Sequence, residues 1–414
     1  MWVTWVGVCI AEILPDSYPN MPIFWSEEEL SWLQGSYILQ QVKDRKRNIA
    51  ADRDEIIRAA PEFEDFPLEE FMWARMMVAS RNFGVKIDGV QTDALVPYAD
   101  MLNHLRPRET SWTFNQADYQ FTITSLKTLK KGQQVYDSYG KKCNSRFLLN
   151  YGFSIESNRD SNGQCHDEVR VKFALDRDDA GYGTKLRLLG DNPEYVYPVC
   201  AVCLATDSHH ACLLAHSYRF IRVSTWYDHK TTVEAFSFLR FIHAQGNEVL
   251  VLPQIGFKYD FVKNPILPIS VECEINVLKT LADTYREQLA KYERSMAEDE
   301  EDIRNDVYEF GSNHRNALVH LINEKRVCHH YITLAKVCIP LLRMQWRDCK
   351  RVVNKLFREK DDVRRYVDKV VIGLVKKRSS GVASAEEAAE SAALAEEMLA
   401  EAKVDVGKKG KKKH

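Results

Sequence analysis

The stretch Gly132–Phe153, GQQVYDSYGKKCNSRFLLNYGF, places two tyrosines in matching settings. Tyr139 and Tyr151 each stand directly before a glycine, the residue that lets one backbone approach another. Between them Phe147, Leu148 and Leu149 form the apolar part of a helix of a turn or two. Two readings follow. The tyrosines are packing at the two ends of a strand–helix–turn unit, or they face one site as paired phenols, apolar along the ring and polar at the tip.

On both sides of this stretch the texture is that of short strands. YQFTITSL alternates Tyr119, Phe121 and Ile123 with polar residues, and DEVRVKFAL alternates again. ALVPYADML is strand-like, and Lys131-Gly132 reads as a turn feeding another strand. The spacing is not that of βαβ units, so a compact sheet of short strands is expected rather than a parallel dinucleotide-binding sheet.

Upstream, residues to about Gly84 read as mostly helical. Ser26 with Glu29 is a capping box, and Pro67 opens a helix carrying Phe71, Ala74 and Val78 on one face. The apolar start, MWVTWVGVCIAEILP, lacks the basic flank of a signal peptide and is too short to span a bilayer, which needs ~20 apolar residues; an amphipathic helix on the core is expected. Downstream, EINVLKTLADTYREQLAKY sets Leu278, Leu281, Ala282, Tyr285 and Leu289 on one stripe, and Leu318, Leu321, Ile322, Tyr331 and Leu334 repeat it. EDEEDIRND reads as a solvated acidic linker. The Ala/Glu-rich end after Ser379 reads as a marginal helix with little to bury, followed by a disordered GKKGKKKH tail.

The 414 residues exceed one ordinary core, and 57 basic against 59 acidic residues argue against a protein whose whole surface binds nucleic acid. Ten scattered cysteines suggest free thiols in a reducing compartment. Cys200 and Cys203, with His209, His210 and Cys212, could be read as a zinc site. VYPVCAVCLATDS reads better as an apolar strand in which cysteine is a small hydrophobe, and no metal is expected. The histidines of CHHY, 328–331, lie on a helical stripe and read as packing. No P-loop, G-x-G-x-x-G or G-x-S-x-G occurs, which removes the commonest nucleotide and serine-hydrolase readings.

ADMLNH, 99–104, followed by YDSYGKKCNSRFLLNYGF, resembles the SET domain in the split form of the Rubisco large-subunit lysine methyltransferases and the actin-histidine methyltransferase type. The matching positions are Asp100, Asn103, His104, Tyr139, Gly140, Asn144, Tyr151, Gly152 and Phe153; Ser145 and Arg146 replace the family's small–acidic pair. Trp73–Phe83, ending SRNF, and ILPDSYPNMPIFWSEEELSWLQGS resemble the same family, and the helical stretches 274–302 and 314–327 resemble its substrate-binding domain.

The resemblance implies an α+β fold: a SET-type sheet with a pseudoknot over 1–165, a helical insert at about 15–90, a helical domain over 166–345, and a helical extension with a Lys-rich tail over 346–414. It implies an S-adenosylmethionine-dependent protein-lysine N-methyltransferase. Tyr151 would be the catalytic tyrosine, also touching the cofactor, and Tyr139 would be catalytic and line the channel. Arg81, Asn103 and His104 would hold the cofactor. Phe83 and Asp100 would line the substrate channel, the aromatic at 83 suiting a lysine stem over an imidazole. The reaction needs alignment more than a base, since a neighbouring sulfonium and a desolvated channel both favour a neutral amine. The expected partner is a protein substrate, a histone or another nuclear or cytosolic protein included, with no nucleic acid, no membrane and a monomeric, cytoplasmic or nuclear protein; a plastid stays open. The alternatives are a protein-histidine methyltransferase and a non-catalytic SET-like binding module. In the family a G-[RK]-G-[LFV] turn contacts the methionine end of the cofactor. No such segment precedes Trp5 and Gly7 does not replace it, so the sequence reads as an incomplete chain that binds cofactor roughly a hundredfold weakly.

Overall fold

The computed structural model describes residues 14–190, 218–252, 260–357, 362–380 and 384–410. The chain divides into two compact units, one of Met1–Asp167 with Tyr292–Asn323, the other of Glu168–Lys291 with Glu324–His414. The chain thus leaves and re-enters each unit, whereas the sequence suggests successive blocks.

In the first unit, α1 (Glu27–Ser31) begins at Ser26, whose hydroxyl accepts the Glu29 N–H while the Glu29 carboxylate accepts the Ser26 N–H. α2 (Ile38–Ala59) and α3 (Leu68–Arg81) follow. Trp25, Leu30, Leu33, Ile38 and Val42 form one small core with Leu148, Leu149 and Ala317; Tyr18, Met21, Ile23, Ile49 and Met76 form another. β1 (Asn82–Ile87) and β2 (Val90–Leu95) make an antiparallel pair. The expected strand through ADML stops at Leu95. Pro97 follows, and Tyr98 takes a left-handed φ of 67° before a 3-10 turn at Ala99–Met101. β3 (Asn103–His104) pairs in parallel with β6 (Tyr136–Asp137), and β4 (Thr110–Asn115) pairs with β5 (Gln120–Ser125). This unit also holds α8 (Met296–Arg304) and residues 313–323 of α9 (Asn313–Arg343). The acidic stretch is therefore not a solvated linker: Ser295 and Glu298 cap α8 reciprocally, and Asp299 is buried.

α4 (Asn144–Tyr151) decides where the second tyrosine sits. It ends at Gly152, left-handed with φ 76°, whose N–H donates to the Leu148 carbonyl. A Cβ on Gly152 would lie 2.3 Å from Nδ2 and 2.7 Å from the backbone oxygen of Asn20. Gly152→Ala is therefore expected to cost about 2 kcal/mol through strain and collision. Urea denaturation measures this, and wild-type stability in the variant would remove the argument.

The second unit pairs β7 (Glu168–Ala174) with β8 (Tyr218–Ser224) and packs helices on them: α5 (Tyr182–Gly190), α6 (Lys230–His243), α7 (Val271–Leu289), residues 324–343 of α9, α10 (Trp346–Leu356), α11 (Asp362–Tyr366) and α12 (Ile372–Arg378). Leu278, Leu281, Ala282, Tyr285, Tyr331 and Leu334 are buried in one core, and so is Cys328. α13 (Ala385–Gly410) differs from its expected role, because Ala395 and Leu399 join this core. Leu394, Ala395, Met398 and Leu399 recur at helical spacing, so a weakly apolar helix still presents one face to bury. No helix among the described residues is long and apolar enough to cross a membrane. Six cysteines among the described residues are buried.

Candidate active site

The first unit contains a cavity of about 940 Å³. Arg81, Asp100, Asn103, His104, Tyr139 and Tyr151 all line it, so six of the seven residues singled out in the sequence converge. They come from the end of α3, the 3-10 turn, β3, the chain after β6 and the end of α4. The parallel β3–β6 pairing aligns Asn103 with Tyr136 and His104 with Asp137, which carries Tyr139 across beside His104.

The tyrosine rings stand 4.8 Å apart between centroids. His104 lies 5.2 Å from Tyr139 and 4.9 Å from the fully buried Phe147, with Phe153 completing an aromatic wall 5.2 Å from Phe147. Burial raises both phenols, Tyr139 to about 12, with the neighbouring Tyr151 adding to its shift. Both remain protonated at neutral pH, and the Tyr139 hydroxyl donates to the Leu102 carbonyl at 2.8 Å. Neither phenol is poised as a base there.

The His104 Nδ1 accepts the Tyr139 backbone N–H at 2.9 Å, which assigns the neutral ring its proton on Nε2. That Nε2 is buried and has no partner among the described residues; the same holds for Asp100 Oδ1 and Ser154 Oγ, two further side chains of the lining. Unpaired buried polar atoms around one cavity are the mark of a site built for a polar ligand. Arg81 donates from Nε to the Tyr18 hydroxyl at 3.1 Å and from a terminal nitrogen to Asp100 Oδ2 at 3.1 Å, so it faces the cavity as half of an ion pair.

Burial, with Arg106 and Lys142 adding positive charge nearby, pushes His104 down to about 4. An unfolded histidine titrates near 6.5, so between these values the unfolded chain binds the extra proton. The contribution of His104 to stability is complete above about pH 6.5 and drains away as pH falls toward 4, a loss of ~1–2 kcal/mol after screening. Urea denaturation at pH 7 and pH 4.5 tests this: His104→Gln should lose less stability on acidification than the wild type, and an equal loss would contradict the assignment.

Phe83 is the exception. It is not in the cavity lining; its ring packs against Phe121 at 5.0 Å and Trp112 at 5.7 Å. Position 83 lies one residue into β1, on the face where the β4–β5 aromatics gather, so the substrate-channel role expected of it has no geometric support here. Two groups of lining residues escaped the sequence reading: Tyr18 and Asn20, and the set Phe310, Gly311, Arg315, Asn316 and Val319. Arg315, Asn316 and Val319 sit in a stretch read for its apolar stripe and its resemblance to a substrate-binding domain, and Phe310 and Gly311 precede it. The Cys200 cluster lies outside the described residues; among those described, no group of His, Cys, Asp and Glu could hold a metal.

Residues 178–327 match the family model described as Rubisco LSMT substrate-binding. Actin-histidine N-methyltransferase of Xenopus tropicalis is 28% identical over 187 residues, 42% of this chain and 31% of that protein; the Danio rerio protein is 29% identical over 187 residues. The chain thus spans about a third of the length of these curated relatives. The SET domain of LSMT bound to lysine and AdoHcy superposes with a TM-score of 0.57 at 20% identity, covering 80% of this chain and 70% of that one. Rubisco LSMT bound to AdoMet gives 0.56 at 21% identity with the same coverage. The chain therefore shares the fold of Rubisco LSMT, and its residues 178–327 are similar to the Rubisco LSMT substrate-binding family.

Proposed function

We propose that the protein is an S-adenosylmethionine-dependent protein N-methyltransferase acting on lysine. The observation that carries this reading is the pair of protonated phenols, 4.8 Å apart, in a cavity where three buried polar lining atoms have no partner among the described residues. S-adenosylmethionine, when bound, supplies the electrophilic methyl group. Asn103 and the His104 Nε2–H would hold its polar atoms, and Asp100, held by Arg81, leaves Oδ1 for an ammonium. The Tyr151 hydroxyl would orient the attacking nitrogen, and Tyr139, fixed by its bond to Leu102, would wall the channel. Phe153, backed by the buried Phe147, gives that wall an apolar character suited to an alkyl stem. With no base among the phenols, the amine must lose its proton to solvent before transfer, which desolvation favours.

Histidine is a second reading, and the names of the curated relatives favour it. Incubation with methyl-labelled S-adenosylmethionine and, separately, free lysine and purified actin separates the two. Labelled methyl-lysine supports the proposal, and labelled methylhistidine in actin replaces lysine by histidine. Label in neither, with cofactor bound, favours a non-catalytic binding module.

A further inference from the structure

Beyond α4 the backbone of residues 152–155 belongs to no helix or strand. Its polar groups need partners when buried. Four asparagine side chains supply them. Asn20 donates from Nδ2 to the Tyr151 carbonyl at 3.1 Å. Asn144 accepts the Ile155 N–H at 2.7 Å and donates to the Ile155 carbonyl at 2.8 Å. Asn316 accepts the Ser154 N–H at 2.9 Å and donates to the carbonyls of Gly311, at 3.1 Å, and Gly152, at 3.5 Å. Asn323 donates to the Ile155 carbonyl at 3.2 Å. A short amide carrying both a donor and an acceptor suits a backbone without a repeating ladder. Asn144, Asn316 and Asn323 are each buried.

We infer that Asn316 and Asn323 are positioning residues for Tyr151: from the first turns of α9 they fix the backbone that follows the tyrosine and so set where its hydroxyl points. The family model assigns this stretch to substrate binding, and nothing in that assignment calls for contacts to Gly152, Ser154 or Ile155. Gly152 cannot supply the stiffness itself, because it is the left-handed hinge of the turn. The neighbouring Phe153 and Ser154 line the same cavity, so a shift of this segment moves the site's wall as well as its phenol. The inference rests on the reading of Tyr151 as the catalytic tyrosine.

The test compares wild type, Asn316→Ala, Asn316→Asp, Tyr151→Phe and Asn316→Ala/Tyr151→Phe in methyl transfer from S-adenosylmethionine to free lysine. Asn316→Ala should lower kcat about tenfold, as a small misplacement of a reacting group does, with KM for lysine within about threefold. Asn316→Asp keeps the acceptor for the Ser154 N–H but sets a carboxylate oxygen against the Gly311 and Gly152 carbonyls, and should recover only part of the turnover. The double variant should be no slower than Tyr151→Phe, because Asn316 acts through that residue. An unchanged kcat, a loss confined to KM, or multiplying losses would overturn the inference. Should the wild type transfer no methyl to lysine, the enzymatic reading is what fails on this probe. Amide exchange then decides the positioning contacts on their own: Ser154 should exchange about tenfold faster in Asn316→Ala while the α4 amides stay protected. Unchanged Ser154 exchange would overturn them.

Discussion

Tyr151→Phe is expected to lower single-turnover methyl transfer about 100-fold, or ~2.7 kcal/mol of transition-state stabilisation, while leaving cofactor affinity within a few fold. The ring packs 4.8 Å from Tyr139 and 6.2 Å from Phe147, and phenylalanine keeps those contacts. What is lost is one hydroxyl that burial keeps protonated. A group needed to align a nitrogen in the transition state contributes to kcat, whereas a group that only walls the channel contributes to substrate binding. Rapid-quench measurement under saturating cofactor separates the two. A Tyr151→Phe enzyme with wild-type kcat and raised KM would make the residue part of the wall.

Glu274→Ala carries the largest expected loss of stability. The Glu274 carboxylate is fully buried in the second unit and accepts two bonds from the Arg240 guanidinium at 2.8 and 2.9 Å. The Tyr366 hydroxyl donates to it at 2.6 Å, and Arg240 also donates to the Ile266 carbonyl and to the Tyr227 hydroxyl. Removing the carboxylate strands a guanidinium that is 3% exposed. Breaking a buried pair in this way costs about 3–5 kcal/mol. Urea unfolding should show a lower midpoint at unchanged slope. The double replacement Arg240→Met/Glu274→Leu should recover much of the loss, since the strain comes from the stranded charge and not from an empty volume. A loss under about 1 kcal/mol in the single variant would mean that water reaches Arg240.

Much of this was legible in the sequence because it rests on local rules. Ser26 and Glu29 announce a cap three residues apart, and the stripe Leu278–Tyr285 announces a buried helix face; both depend only on helical geometry. The tyrosine–glycine repeats marked the cavity because a left-handed glycine turns the chain just after each phenol, and Gly140 and Gly152 both have positive φ. What the sequence concealed depends on partners distant in the chain. Phe83 reads as a channel residue until Trp112 and Phe121 are seen to claim its ring. Asn316 is one polar residue on an amphipathic helix until the unpaired backbone after Tyr151 is brought to it. The acidic run before α9 gave no apolar stripe, and the reciprocal cap at Ser295 and Glu298 was the only local sign of α8. α13 was discounted for its few apolar residues, though Leu394, Ala395, Met398 and Leu399 fall on one helical face and pack on the core.

The central claim is that the cavity around Tyr139 and Tyr151 is the cofactor site. Hydrogen–deuterium exchange in the presence and absence of saturating S-adenosylhomocysteine tests it most directly, without needing the identity of the protein substrate. The account predicts slowed exchange at residues 100–106 and 139–155, where Asn103, His104 and the tyrosines lie, with residues 168–190 and 218–252 of the second unit unchanged. Binding that leaves 100–106 and 139–155 unprotected, or no binding at all, would contradict it.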